Sequence, residues 1–91
     1  MSQSLPVHVR VAYENGDPAD NALLHFEASS TPLPEMALIA NSQGEVRMDL
    51  PLGSFRLAAR KDESRGAVDF QVDQNASSIQ LTIVLGKAGS R

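Results

Sequence analysis

Glu45-Val46-Arg47-Met48-Asp49-Leu50-Pro51-Leu52-Gly53-Ser54-Phe55-Arg56-Leu57-Ala58-Ala59-Arg60 decides the fold. Val46, Met48 and Leu50 alternate with Glu45, Arg47 and Asp49. After the break at Pro51-Leu52-Gly53, Phe55, Leu57 and Ala59 alternate with Arg56, Ala58 and Arg60. A period of two marks a strand with one buried face, because successive side chains leave opposite sides of the backbone. Proline cannot donate to a ladder, so the break reads as a sharp reversal between neighbouring strands. That reading places Arg47 and Arg56 side by side across the strands.

The same pattern runs outward in both directions. Val7, Val9, Val11 and Tyr13 alternate with His8, Arg10, Ala12 and Glu14, up to the turn residues Asn15-Gly16-Asp17-Pro18. Ala22, Leu24, Phe26 and Ala28 alternate with Leu23, His25 and Glu27. Ser29 to Glu35 holds Pro32 and Pro34 and reads as a loop, followed by a short apolar strand from Met36 to Ala40 and the turn Asn41-Ser42-Gln43-Gly44. Lys61 to Gly66 reads as a charged loop. Val68, Phe70 and Val72 form a sixth strand, and Ile79, Leu81, Ile83 and Leu85 a seventh. No window repeats at i, i+3, i+4, so no substantial helix is expected.

Seven short strands, each with one apolar face, must bury those faces against each other. The expected fold is all-β, a seven-stranded two-sheet Greek-key sandwich of prealbumin-like or immunoglobulin-like type. Its inward set is Val7, Val9, Val11, Leu24, Phe26, Val46, Met48, Leu50, Phe55, Leu57, Val68, Phe70, Val72, Ile79, Leu81 and Ile83. With 91 residues the chain makes a single domain, residues 1–91, with a core over 5–86 and a frayed tail over 87–91.

Composition narrows the function. The chain carries 8 basic and 11 acidic residues for a net charge of -3, a poor match to nucleic acid. It has no cysteine, which excludes disulfides, thiolate metal sites and cysteine nucleophiles. No stretch approaches a membrane span, and the start, Met1-Ser2-Gln3-Ser4-Leu5-Pro6, lacks the features of a secretory signal. The expected location is the cytoplasm.

Two segments together are similar to carboxypeptidase-regulatory-like domains. One is Val9 to Leu24, where a strand meets the Asn15-Gly16-Asp17-Pro18 turn and a small residue opens the next strand. The other is Ala40 to Leu57, with a turn ending in Gly44, an alternating strand, Leu50-Pro51-Leu52-Gly53 and the aromatic Phe55. Phe70-x-Val72 and Ile79-x-Leu81-x-Ile83 fit that family's last two strands. Val9, Asn21 and Ala40 depart from residues common there, two glycines and a threonine. Asn at position 21 still tolerates the left-handed backbone. Gly44 is expected to take positive φ. The resemblance implies a prealbumin-like, mostly non-catalytic docking or structural module, in one version an adaptor to a secretion spike carrying similar domains.

His8 and His25, with Glu14 or Glu27, would hold a metal only if the first two strands paired. In the resembled family those strands lie in different sheets, so both histidines are read as exposed spectators, and no metal or cofactor is expected. Catalysis is not expected either: there is no G-x-S-x-G elbow, and the acidic pairs fall in a loop and on a solvent face. A small hydrolase of the hydroxyisourate type is disfavoured because the tail after Leu85 lacks that enzyme's Tyr-Arg-Gly-Ser ending. A carbohydrate-binding module needs exposed aromatic faces, and only Tyr13 stands outside the three inward phenylalanines. Arg10, Arg47, Arg56 and Arg60 all fall on the outward phase and are the candidate partner-binding cations; Arg47 and Arg56 with Arg60 make a basic stripe suited to an acidic protein partner. The competing reading has Glu45, Asp49 and Asp69 neutralising that stripe. Leu33 and Met36 are the candidate apolar contacts. Open edge strands offer a route to homo-oligomers or partner docking. The expected function is a non-catalytic protein-interaction or structural module.

Overall fold

The computed structural model describes residues 4–33 and 37–87, apart from the side chain of Lys87. All seven expected strands form: β1 (Ser4–Tyr13), β2 (Leu23–Ser29), β3 (Leu38–Ile39), β4 (Glu45–Pro51), β5 (Gly53–Lys61), β6 (Ser64–Val72) and β7 (Ile79–Lys87). They make one mixed sheet in the order β3-β2-β5-β6-β7-β1-β4. β1 and β7 run parallel, and every other pair is antiparallel. The sheet ends at β3 and β4. These are consecutive in the chain and joined by the turn at Asn41–Gly44, so the sheet curls until it nearly closes into a barrel.

That turn follows from its residues. The Asn41 side-chain oxygen accepts from the Gln43 and Glu45 N–H groups at 2.9 and 3.0 Å, an Asx turn made by a short polar side chain. Gly44 takes φ 76° and donates its N–H to the Asn41 carbonyl at 2.9 Å. Its own carbonyl accepts from Val11 N–H at 2.7 Å, which fastens the turn to β1. Asn21 takes φ 60° and donates to the Ala40 carbonyl at 3.1 Å, which ties the entry of β2 to the other end of the same turn.

Val7, Val9, Val11, Leu24, Leu50, Phe55, Leu57, Val72 and Ile83 are buried in one apolar cluster. The other expected inward residues pack against that cluster in half-buried positions. Among the described residues no polar or charged side chain is buried.

Three local expectations are corrected. The Lys61–Gly66 loop is a two-residue turn, because Lys61 pairs with Ser64 and Asp62 takes the left-handed backbone at φ 54°. Pro51-Leu52-Gly53 does not join neighbouring strands. β4 pairs with β1 at one end of the sheet, while β5 lies between β2 and β6, so the single residue Leu52 links two strands that are not neighbours in the sheet. In β2 the alternation fails after Phe26. A bulge between Phe26 and Ala28 leaves Glu27 and Ala28 both exposed, and Ala28 then sits opposite Arg56.

Candidate functional site

The strand register arranges the outer face of β2, β5 and β6 in rows. In one row Leu23 faces Arg60, which faces Arg65; in the next His25 faces Ala58, which faces Ala67; in the third Ala28 faces Arg56, which faces Asp69. The middle row is floored by alanines, and a shallow depression of about 560 Å³ lies over it between the arginine rows.

Two features place Arg65. The tight Asp62-Glu63 turn sets Arg60 directly against it. On the opposite face of the strand, Gly66 lets β6 approach β7: a Cβ there would collide with the Val84 carbonyl oxygen and sit 3.2 Å from the Ile83 side chain. At this end β6 and β7 pair, Ser64 with Lys87 and Arg65 with Gly86.

The charges in the rows are handled differently. Arg56 is saturated. Its Nε donates to Glu27 at 2.9 Å, and its terminal nitrogen donates to both Asp69 oxygens at 3.1 and 3.2 Å. The hydrogen bond to Glu27, then that to Asp69, raises the Arg56 pKa above its ordinary value. Glu27 also lies 3.8 Å from His25 Nε2. Arg60 and Arg65 are both exposed, and among the described residues neither has a carboxylate within 4.0 Å. Like charges directly opposite each other on a sheet repel, so this pair does not stabilise the hairpin that carries it.

Arg10 and Arg47 belong to a different face, that of β4, β1 and β7, where Arg10 pairs in register with Glu45 and Arg47 with His8. Glu45 approaches the half-buried His8 instead, at 3.6 Å, and His8 Nε2 has no hydrogen-bond partner. The expected single arginine stripe is therefore corrected. Arg47 and Arg56 are not neighbours, because β4 and β5 do not pair, and the arginines divide between two faces. Of the carboxylates expected to neutralise them, Asp69 holds Arg56; Glu27, brought there by the bulge, does so as well.

The histidines stand on β1 and β2, which are not adjacent, and among the described residues no group of three metal-ligating side chains forms. Leu33 is half-buried and packs on the core, and Met36 lies outside the described residues. Tyr13 also packs on the core. Sequence reasoning missed Arg65 by assigning it to a loop. The available signal was the alternation from Ser64 to Val72, unbroken once Gly66 is counted as an inward position.

No protein-family model matches this chain, and a search among curated proteins finds no match.

Proposed function

We propose that this chain is a non-catalytic protein-interaction module, an adaptor or accessory that presents charged sheet faces to a larger assembly. The carrying observation is that Arg10, Arg47, Arg60 and Arg65 are exposed on hydrogen-bonded strands of a net acidic chain. None of them has a carboxylate within 4.0 Å among the described residues. The strands fix where these cations are rooted, and their charge is complementary to an acidic partner.

Our finer reading of the fold is a two-layer, prealbumin-like arrangement, with β1, β4 and β7 facing β2, β3, β5 and β6. In its support, β6 and β7 share only the register pairs at Ser64 and Arg65, and β4 passes to β5 through one residue. The resemblance to carboxypeptidase-regulatory-like domains is part of the same proposal. The positive φ at Gly44 and the left-handed Asn21 support it.

The test is capture from the source cells on the immobilised chain, compared with a variant carrying R10E, R47E, R60E and R65E. A partner retained at moderate salt by the natural chain and lost by the variant is the expected result. If the natural chain retains nothing above the variant, the reading fails.

A further inference from the structure

We infer that Arg60 and Arg65 form a carboxylate site that seats an Asp or Glu side chain of the partner protein, over the Ala58 and Ala67 floor. The inference rests on the interaction-module reading and deepens it by naming the face and the chemistry recognised. Directly opposed side chains on an antiparallel pair have Cβ atoms about 4.5–5.5 Å apart. Two guanidinium groups rooted that close converge on one acceptor. A carboxylate has two oxygens and about four lone-pair positions, enough for a fork from each arginine.

The surroundings select among anions. Along the β5–β6 ladder the turn contributes Asp62 and Glu63 on one side of the pair. On the other side, four residues or roughly 14 Å away at strand rise, Glu27 and Asp69 surround Arg56. A polyanion such as nucleic acid, laid along the ladder, meets those carboxylates in both directions. Glu27, Asp62 and Glu63 also line the rim of the depression, so the anion that fits is a single carboxylate on a short side chain, small enough to engage Arg60 and Arg65 between them. The alanine row sets the depth of the site: Ala58 is buried and Ala67 exposed, and His25 stands at the end of the row, so the carboxylate approaches from the Ala67 side.

The probe is a blocked Ala-Ala-Glu-Ala-Ala peptide, titrated at low ionic strength into the isotope-labelled full chain and followed by amide chemical shifts. Shifts confined to residues 58–60 and 64–67 are expected, and the Gln twin of the peptide should give none. R60Q/R65Q should weaken binding about tenfold or more, while R10Q/R47Q should leave it unchanged. Equal shifts around Arg10 and Arg47, equal response to the Gln twin, or no shifts at all would overturn the site. Stronger saturation of the same amides by inorganic phosphate would overturn the carboxylate assignment. Capture separates the two levels. A partner that R60E/R65E retains and R10E/R47E loses defeats this site and leaves the module reading standing. No partner for any chain defeats the module reading itself.

Discussion

Gly44→Ala tests the turn that brings the two ends of the sheet together. Gly44 sits at φ 76°, where an L side chain costs about 1–2 kcal/mol. Conformation is not the whole cost. A Cβ at Gly44 would collide with the Val11 carbonyl oxygen and lie 3.0 Å from the Ala19 nitrogen. Those two backbone groups are bonded to each other at 2.9 Å, and Val11 N–H donates to Gly44 itself at 2.7 Å. Relieving the collision disturbs both bonds, at about 0.5–1.5 kcal/mol each. The expected loss is thus about 2–5 kcal/mol. Gly16→Ala is the internal control. Its φ of 94° is also positive, but a Cβ there meets nothing within 4 Å, so only the conformational cost of about 1–2 kcal/mol applies. Asparagine tolerates positive φ, so Gly16→Asn should recover most of that loss and Gly44→Asn little of it. Urea unfolding followed by circular dichroism measures all four. Equal losses for the two alanine variants, or full recovery by Gly44→Asn, would refute the close approach of the turn to β1.

Phe55→Ala should cost about 3–5 kcal/mol in the same assay, because Phe55 is 3% exposed and its ring centroid lies 5.8 and 5.5 Å from those of Phe26 and Phe70. A loss near 1 kcal/mol would mean the aromatic cluster is not core. Gly66→Ala should loosen the β6–β7 junction, and hydrogen exchange of amides 64–67 and 84–87 should accelerate more than that of β1. Uniform acceleration would point to global destabilisation instead. Glu27→Gln with Asp69→Asn removes two negative charges from the neighbouring row and should strengthen binding of the glutamate peptide slightly; weaker binding argues against the arginine rows as the binding face. Because its partners raise the Arg56 pKa, the stability that group contributes is fully present below its ordinary value and is lost only as pH rises through the raised one. Removing Glu27 and Asp69 should therefore alter salt dependence without adding an Arg56 transition between neutral and mildly alkaline pH.

Much of the fold is legible in the alternation. The apolar phases of β1, β4, β5, β6 and β7 all turn to the core, and Gly44 and Asn21 take the positive φ expected of them, whereas the left-handed Asp62 was not legible. The candidate site is less legible. Glu27 reaches Arg56 because of a bulge after Phe26, and no residue type at that point announces it. The outward phase of Arg56 and Arg60 can be read from β5 alone, but Arg65 becomes their neighbour only because the 61–66 segment folds as a two-residue hairpin.

Side-chain period is a property of one strand, and the sequence by itself therefore determined which face of each strand is buried, save where the bulge breaks β2, and how many strands there are. Strand partnership belongs to pairs of segments that compete for the same hydrogen bonds. Only the tertiary structure decided that β4 joins β1 and not β5, that β3 and β4 end the sheet, and that the arginines divide between two faces. The physical reason lies at Leu52. One residue is enough to link β4 to β5, and a connection that short reads the same in sequence whether it closes a hairpin or passes from one part of the sheet to another.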